Sequence, residues 1–487
     1  MRDWICHFAL VRCQSPAGSR EGPKTVARNR QWLPGPLPEG RPFYRALADA
    51  IAGDVARGRL RPGDRLPPRR ALAGALGVTV GTIARAYTEA ESRGLVAAEV
   101  GRGTYVRSGF GLADTTASTC VDLASLHPPL GGGIDPAFLL GETLTALAGD
   151  PVALRAVATT EYGQDAPAHR EAAAAWAAHG GWRPDPTHVL LTAGAQHALT
   201  VALLALASPG RAVATAQLTN PGLIAAARRL SIPVVAVDTD AEGILPDALA
   251  RTCARKDVAV VHLEPTLANP TGRTMPPGRR AELADVCDRA GVWVIEEDAL
   301  GPLATERPDP VAQLLPQRTL HVASAAKALA LGLRVGVLTV PDAAFAELAS
   351  TVRATTWLTP PLLAEVLARW VGDGTADLIV AARRTATAQR NTAAREILAG
   401  LDVITEPAAP HLWLPLPEPW TAGQFAAATR EAGILVSPGD EYTPRREHAA
   451  FGVRIGLNAD VEDEVLRDAL LTLVHLLGSA PPPGALA

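Results

Sequence analysis

The first hundred residues show apolar positions at helical intervals, followed by the pattern of a short hairpin. An apolar residue at every fourth position predicts a helix from residue 41 to about residue 58. Two further helices are predicted at 71–76 and 81–93, separated by a glycine-containing turn. Short apolar segments at 95–99 and 103–106 predict the two strands of a hairpin. This part of the chain is therefore predicted to form a helix-turn-helix with a wing.

Beyond residue 120 the pattern changes to short apolar segments that alternate with alanine-rich helices. The predicted strands are 189–191, 213–214, 234–237, 258–263, 292–295, 320–323 and 335–340. Alternation of this kind is typical of an α/β domain with a mainly parallel sheet. The sequence thus predicts two folded regions of different class.

Segments without sustained periodicity flank and separate these regions. Residues 1–37 are rich in proline, glycine and arginine and are interpreted as a flexible leader. Residues 108–120 are small and polar enough for a linker, and the proline-rich residues 478–487 are interpreted as a disordered tail. The predicted domains are a winged helix-turn-helix at 38–107 and an α/β domain at 121–477.

Composition excludes several classes of protein. Hydrophobic residues make up 48% of the chain and charged residues 20%, which indicates a folded protein rather than a disordered one. No stretch approaches eighteen apolar residues, so we predict no membrane span and expect a cytoplasmic location. The five cysteines are odd in number and lack CxxC spacing, which fits neither a disulfide framework nor a zinc site. No metal site is predicted.

Charge is distributed unevenly between the two predicted domains. Residues 38–107 carry twelve arginines and seven acidic residues, a net charge of +5 in a chain whose formal net charge is -4. A basic excess on a winged helix-turn-helix is what a DNA-binding domain needs. The segments 66–73, 76–87 and 101–106, which include Leu-Pro-Pro-Arg-Arg-Ala-Leu-Ala and Gly-Arg-Gly-Thr-Tyr-Val, resemble the GntR superfamily of DNA-binding regulators.

This resemblance implies which residues meet double-stranded DNA. At the major groove they are Thr79, Gly81, Thr82 and Arg85, and at phosphates or a groove edge Arg69, Arg70 and Arg102. Many family members carry arginine or a polar residue where this chain has Val80. Base recognition at that position therefore departs from the family pattern.

Lysine is scarce in this chain. Of 46 cationic residues only Lys24, Lys256 and Lys327 are lysines. Arginine cannot replace lysine where an amine must lose its proton and form a bond to carbon. Lys24 and Lys256 lie in charged or irregular surroundings, whereas Lys327 follows a predicted strand. Lys327 is therefore the candidate for covalent chemistry.

Motifs that could carry chemistry follow four of the predicted strands, where functional groups of α/β sheets collect. They are Thr-Ala-Gly-Ala-Gln at 192–196, Asn-Pro-Thr-Gly at 269–272, Glu-Glu-Asp at 296–298, and Ser-Ala-Ala-Lys at 324–327 with Gly-Leu-Arg at 332–334. The glycine turn at 192–196 leads into a helix whose free N–H groups could hold a phosphate.

The order and spacing of these motifs resemble the fold type I pyridoxal phosphate enzymes of the aspartate aminotransferase group, with a small C-terminal subdomain. Joined behind a GntR-like domain, the chain from about 41 to 475 resembles the MocR subfamily of transcriptional regulators. The resemblance implies pyridoxal 5'-phosphate as cofactor, bound covalently by Lys327. It implies further cofactor contacts from Arg334, Ser324, Gly194, Ala195, Asn269 and, across a dimer, Tyr162. Arg454 would take the carboxylate of a ligand bidentately.

Three positions depart from the aminotransferase pattern. The acid that pairs with the pyridine nitrogen is either Glu297 or Asp298, and the shorter side chain favours Asp298. Leu300 replaces a tyrosine that binds the ring hydroxyl, and Asn220 replaces an aromatic residue that stacks on the cofactor. These departures weaken the tuning of catalysis more than they weaken binding.

The sequence therefore predicts a homodimeric, DNA-binding transcriptional regulator that binds pyridoxal phosphate and senses an amino-acid-like or amine ligand. The alternative is an active aminotransferase with an accessory DNA-binding module, and turnover of amino donors would distinguish the two. A structural dimer that has lost the cofactor is disfavoured by the retention of Lys327, Asn269 and Arg334.

Overall fold

A computed structural model of the chain describes most of its 487 residues. The described ranges are 32–37, 42–56, 59–60, 64–93, 95–99, 103–106, 120–159, 165–207, 210–444 and 452–479. Two of the predicted site residues, Arg102 and Tyr162, lie outside these ranges, as do most of the predicted leader, linker and tail.

The N-terminal region contains three helices and a three-stranded antiparallel sheet in the order β1-β3-β2. Its elements are α1 (Phe43–Ala56), β1 (Arg65–Leu66), α2 (Arg69–Leu76), α3 (Val80–Ser92), β2 (Val96–Glu99) and β3 (Gly103–Val106). Gly77 ends α2 in the left-handed conformation at φ 66°, which glycine adopts without strain. Thr79 then caps α3 by accepting the Thr82 N–H at 3.2 Å. The predicted helix-turn-helix and hairpin are both present.

Residues 32–37 pack against the N-terminal region. Trp32 and Leu37 contact its hydrophobic core, which includes Leu47, Ile51 and Tyr87. The Trp32 indole N–H also donates to Asp54 at 2.9 Å. The last residues of the predicted leader are therefore held by burial of an aromatic ring and an aliphatic side chain, and the packed region extends back to Trp32.

The C-terminal region is built on a seven-stranded sheet in the order β5-β13-β12-β11-β10-β6-β7. Its strands, including short ones outside the main sheet, are β4 (Val121–Asp122), β5 (Val189–Thr192), β6 (Ala212–Ala216), β7 (Val234–Val237), β8 (Thr239–Asp240), β9 (Gly243–Ile244), β10 (Val258–Leu263), β11 (Trp293–Glu297), β12 (Thr319–Ser324), β13 (Gly336–Thr339), β14 (His411–Pro415), β15 (Ile434–Leu435), β16 (Ser437–Pro438) and β17 (Gly452–Gly456). Within the seven-stranded sheet only β13 runs antiparallel to its neighbours. The prediction of a mainly parallel sheet is confirmed.

Helices cover both faces of this sheet and also pack around the smaller sheet described below. They are α4 (Pro136–Ala148), α5 (Pro151–Ala158), α6 (Pro167–Ala177), α7 (Ala195–Leu206), α8 (Pro221–Arg229), α9 (Pro246–Arg255), α10 (Pro277–Ala290), α11 (Val311–Leu314), α12 (Asp342–Thr356), α13 (Pro361–Gly372), α14 (Thr375–Ile397), α15 (Ala422–Glu431) and α16 (Asp463–Leu477). Alternate residues of a strand point to opposite faces, so Ile295 packs with α7 while Val294 packs with α10. This alternation decides which side chains at the strand ends can meet.

A second, smaller sheet completes the C-terminal region. Strands β14, β17 and β16 pair antiparallel, and Trp413 of β14 stands opposite Arg454 of β17. A hydrophobic cluster that includes residues of α14, α15 and α16 packs against this sheet. These elements form the predicted small C-terminal subdomain.

The described residues contain no single helix that is long and apolar enough to cross a membrane. By length and composition alone, the bent pair α4 and α5 would pass that test, with 99° between its two helices.

Candidate functional site

Lys327 lies in a turn just after β12 and is largely enclosed by protein. Its Nζ donates a hydrogen bond to the carbonyl oxygen of Leu126 at 2.6 Å. Burial and the nearby guanidinium groups of Arg454 and Arg334 lower the pKa of the Lys327 amine to about 8, because all three disfavour a further positive charge. About a tenth of the amine is therefore unprotonated, and nucleophilic, at pH 7, far more than for an ordinary lysine.

The Arg334 side chain packs against the turn that begins α7. Gly194 stands at the N-cap of this helix with φ 85°, and a Cβ atom there would approach Arg334 Nη2 to 3.0 Å. Strand β13 lies between β5 and β12, so Gly336 pairs with Thr192 on one side and with Ser324 on the other. The structure thereby brings Arg334, Ser324 and the turn at Gly194 to the same sheet edge.

This corner can bind an anion. The first N–H groups of α7, beginning at Ala195, have no acceptor within the helix and lie at its positive end. Arg334 adds a full positive charge, and the hydroxyl of Ser324 already accepts the Ala326 N–H at 3.2 Å. The arrangement fits the phosphate group of a cofactor whose other end reaches Lys327.

Arg454 is buried and held in one orientation. Its Nη1 donates to Asn269 Oδ1 at 3.0 Å, its Nη2 donates to the Ala124 carbonyl, and its guanidinium carbon lies 5.5 Å from the centre of the Tyr442 ring. Its Nε is buried and has no hydrogen-bond partner among the described residues. An uncompensated donor on a buried cation favours an anionic ligand such as a carboxylate.

Glu297 belongs to a polar network that reaches Asn269 and Arg454 through Glu264. Asn220 Nδ2 donates to both Glu297 carboxylate oxygens, at 2.9 and 3.0 Å, and His262 Nε2 lies 3.0 Å from one of them. Glu264 accepts the Asn220 N–H at 3.1 Å. Burial and the adjacent Glu297 raise the pKa of Glu264 well above its usual range. Two carboxyl groups thus share one polar pocket, and Glu264 is the one that favours its protonated form.

Asp298 points away from this network. Its carboxylate contacts Arg307 and lies 3.4 Å from His321, on the opposite face of the strand from Glu297. Burial alone would raise the pKa of Asp298, but Arg307 and His321 hold it well below its usual range. Of the two acids that the sequence left open as partner of a pyridine nitrogen, with a preference for Asp298, this geometry favours Glu297.

The structure also shows the surroundings of Leu300 and Asn220, the other two departures from the aminotransferase pattern. Leu300 is buried and packs in a hydrophobic cluster, where it can donate no hydrogen bond. Asn220 does not offer an aromatic face, and its amide instead orients Glu297.

Three residues of the site were missed at the sequence level. Glu264 follows a predicted strand directly, so its position at a strand end was an available signal. His262 lies inside that strand and Tyr442 lies in a turn near β16, and neither carries a motif. Only the folded chain brings them beside Glu297 and Arg454.

In the N-terminal region, most of the predicted DNA-contacting residues that the structure describes lie at the starts of α2 and α3. Arg69 and Arg70 are exposed in the first turn of α2, and neither has a carboxylate partner among the described residues. Thr79 and Gly81 are exposed at the start of α3, beside the 45% exposed Val80. This end of the helix pair is basic and free to approach phosphates.

Other arginines of the N-terminal region differ from these. Arg85, on the second turn of α3, lies over the ring of Tyr44 with its guanidinium carbon 4.2 Å from the ring centre. Arg93 forms ion pairs with Asp49 and Glu89. The structure therefore separates stacked and ion-paired arginines, such as Arg85 and Arg93, from the unpaired cations at the start of α2.

Comparison with known families finds two matches on this chain. Residues 146–473 match the family described as aminotransferase class I and II, and residues 43–106 match the bacterial regulatory proteins of the gntR family. The first match covers more than half of the chain. The second covers the helix-turn-helix and hairpin described above.

Similar proteins share this two-part organisation or the fold of its larger part. The chain is 28% identical to the uncharacterized HTH-type transcriptional regulator YdeF of Bacillus subtilis, over 92% of this chain and 96% of that protein. It is 28% identical to the vitamin B6 salvage pathway transcriptional repressor PtsJ of Salmonella typhimurium, over 86% and 95% respectively. Among solved structures, LysN, the alpha-aminoadipate aminotransferase of Thermus thermophilus complexed with N-(5'-phosphopyridoxyl)-L-leucine, superimposes with a TM-score of 0.66 at 20% identity, over 74% of this chain and 92% of that chain.

Proposed function

Because the chain belongs to the aminotransferase class I and II family, we propose that its C-terminal region binds pyridoxal phosphate and an amino-acid-like ligand, and that this binding controls the DNA affinity of its N-terminal region. The chain is a transcriptional regulator with a GntR-type DNA-binding domain, and its relatives YdeF and PtsJ are named as transcriptional regulators. The single observation that carries the proposal is the closeness of Lys327 to the guanidinium groups of Arg454 and Arg334, with Arg334 packed against the turn at Gly194.

The residues of this pocket fit pyridoxal phosphate. Lys327 lies close to the guanidinium groups of Arg334 and Arg454, and no carboxylate offsets their effect on the pKa of its amine. The pocket therefore suits a dianionic phosphate at one end and a carboxylate at the other. Arg334, Ser324 and the start of α7 at Gly194 and Ala195 would hold the phosphate. When bound, the cofactor supplies an aldehyde that reacts reversibly with amines.

Further contacts would orient the cofactor ring. Asn269 keeps its amide NH2 available for a ring hydroxyl because its carbonyl oxygen is already bound by Arg454. Glu297, held by Asn220 and His262, would face the ring nitrogen and keep a negative charge there. Lys327 can attack as a neutral amine because its pKa is close to the cellular pH.

Arg454 would select the ligand. Its guanidinium is fixed by Asn269, by the Ala124 carbonyl and by the Tyr442 ring, so little side-chain entropy remains to be lost on binding a carboxylate. The strand that carries it belongs to the small sheet, which packs apart from the seven-stranded sheet that carries Lys327. A ligand that bridges Lys327 and Arg454 would therefore pull on two different parts of the C-terminal region.

A second copy of the chain is the partner that we propose for the apolar surface of α4 and α5. Phe138 is 64% exposed, Val152 80% and Leu154 44%, which is an unusual density of large apolar side chains on so short a segment. A homodimer would cover them. Duplex operators with two half-sites suit such a dimer.

The test is an operator titration of the full chain with and without pyridoxal phosphate and a panel of amino acids and amines. Wild-type protein should change its operator affinity by an allosteric coupling of about 1 to 3 kcal/mol, or roughly 5- to 150-fold. Arg454→Ala should lose the response to carboxylate-bearing ligands and keep both cofactor attachment and ligand-free DNA binding.

Two results would contradict the proposal. If Arg454→Ala responds as the wild type does, Arg454 is not the carboxylate partner. If the wild type turns over amino donors at enzymatic rates and never changes its operator affinity, the chain is an aminotransferase with an accessory DNA-binding module.

A further inference from the structure

A second cluster of polar side chains lies on the other face of the seven-stranded sheet from Glu297. It consists of His179, which follows α6, Asp298, which follows β11, and His321 in β12. One ligand atom from each of the three lies within 4.8 Å of the other two. All three residues are buried, with exposed fractions of 8%, 2% and 0%. The proposed function above uses none of their side chains.

The hydrogen bonding of this cluster is incomplete. Neither ring nitrogen of His321 has a hydrogen-bond partner among the described residues, and Asp298 Oδ1 is also buried without one. His321 Nε2 lies 3.4 Å from Asp298 Oδ2, too far for a well-formed hydrogen bond. Buried polar atoms without partners are rare and costly, so each requires an explanation.

The surrounding contacts are those that orient metal ligands. His179 Nδ1 lies 3.0 Å from the Ala177 carbonyl, an arrangement that turns its Nε2 into a ligand. The Trp182 ring packs against His321 with ring centres 4.7 Å apart and restrains it. Arg307 contacts the Asp298 carboxylate, which leaves the second oxygen free. Ligating carboxylates are commonly held in this way by a further donor.

From this geometry we propose that His179, Asp298 and His321 bind a divalent transition-metal ion of the zinc class. Zinc bonds of about 2.1 Å place two ligands of a tetrahedral ion about 3.4 Å apart, and one ligand atom from each of the three residues already lies within 4.8 Å of the other two. Two imidazoles and one carboxylate are the donor types of three-ligand zinc sites. Binding would satisfy Asp298 and His321 together.

Access to this site comes from an adjoining cavity of about 510 Å³. His179 and Arg307 line it, together with Thr305, Asp377 and Arg384. Three protein ligands leave one coordination position open, and the cavity can supply water to it. The ion would tie the end of β11 to β12 and to the segment after α6, directly beside the position of Glu297.

The sequence contains no sign of this site. Its three ligands are far apart along the chain and lack the short spacings of zinc motifs, and the cysteine pattern excludes only thiolate sites. This inference does not depend on the proposed function, because cofactor and ion would occupy different faces of the sheet.

In the experiment, Zn²⁺ is titrated into full-length protein that holds its cofactor and has been freed of metal. A second titration uses Co²⁺ as the spectroscopic probe. One equivalent should bind, and Co²⁺ should give the ligand-field absorption of a low-symmetry site. Mutation of a residue that only orients a metal ligand typically lowers metal affinity 10- to 100-fold. His179→Gln and His321→Gln remove a ligand itself, so each should lower the affinity at least about 100-fold. The surface variant His188→Gln is the matched control and should bind as the wild type does.

A second variant separates a metal ligand from a merely structural histidine. His179→Cys keeps a ligand atom near the ion, so it should restore Co²⁺ binding and add a thiolate-to-cobalt charge-transfer band. Equal affinity and unchanged spectra in His179→Gln and His321→Gln would overturn the proposal, as would the absence of stoichiometric binding to the wild type. If His321→Gln fails to fold, the two His179 variants decide the question, because His179 lies at the cavity wall.

Discussion

The two regions of this protein use cationic side chains in opposite ways. In the N-terminal region, Arg69 and Arg70 are exposed and unpaired by any described carboxylate, which suits a screened attraction to phosphates. In the C-terminal region, Arg454 is 6% exposed and Lys327 stands beside two guanidinium groups. The first set provides screened attraction, and the second provides tuned chemistry and a fixed geometry.

The difference follows from the dielectric around each charge. An exposed cation keeps its hydration and attracts anions over about a Debye length. This attraction weakens as the salt concentration rises. A buried cation has lost its hydration, so its neighbours change its pKa and an unpaired donor becomes costly. Salt should therefore control one region, and pH and covalent chemistry the other.

The largest expected effect is the loss of covalent cofactor attachment in Lys327→Ala. Borohydride should fix pyridoxal phosphate to the wild type and leave none on this variant, as judged by mass spectrometry. Lys327→Arg should fail equally because a guanidinium stays protonated, and the exposed Lys256→Ala should behave as the wild type does. Attachment that survives in Lys327→Ala would mean that another amine reacts.

The pH dependence of attachment tests the tuning of Lys327. The neutral amine is the nucleophile, so the rate at which metal-free apoprotein takes up pyridoxal phosphate should rise about tenfold per pH unit and level off near pH 8. An ordinary lysine would level off near 10.5. Arg454→Ala removes a neighbouring positive charge, so its plateau should move to higher pH. A plateau above pH 10 in the wild type would show that burial does not tune this amine.

Salt dependence tests the exposed cations. The double variant Arg69→Ala/Arg70→Ala should lower the slope of log affinity against log salt by about 1.8 if each residue contacts one phosphate. Between 50 and 200 mM salt its loss of affinity should then be about tenfold smaller than that of the wild type. Arg289→Ala, an exposed arginine in the C-terminal region, is the control. An unchanged slope in the double variant would place DNA on another surface.

The smallest expected effect concerns Arg85, which is exposed but stacked on Tyr44. The ring should restrain the guanidinium and favour one base contact, and an exposed cation–π contact contributes about 0.5 to 1 kcal/mol. Tyr44→Ala should therefore reduce discrimination between operator variants by about 2- to 5-fold with little change in the salt slope, while Tyr44→Phe retains it. Competition binding with operators changed one base pair at a time provides the measurement.

The sequence by itself determined the elements and most of the chemistry. Apolar periodicity is a local property, so the helix-turn-helix, the hairpin and the alternating strands could be located from the order of residues. Strand ends in a parallel sheet meet at one edge, so Gly194, Asn269, Ser324 and Lys327 could be grouped from their positions alone. Scarcity of lysine singled out Lys327.

Tertiary structure decided which neighbouring side chains enter the site. Glu297 and Asp298 are adjacent in sequence, and strand alternation sends them to opposite faces, but only the packing of helices and of Asn220 shows which face holds Lys327 and Arg454. The sequence left Glu297 and Asp298 both open and preferred Asp298 on side-chain length, and the positions of the two side chains favour Glu297 for that reason.

The same dependence on tertiary packing explains why some residues of these sites could not be predicted from sequence motifs. His262 and Glu264 beside Glu297, Tyr442 beside Arg454, and the cluster of His179, Asp298 and His321 each join segments that lie far apart along the chain. Apolar periodicity predicts which side of a helix or strand is buried. It does not predict which distant segment of the chain packs against that side. Burial, ion pairing and the pKa of a side chain depend on those distant partners, so they emerge only when the chain has folded.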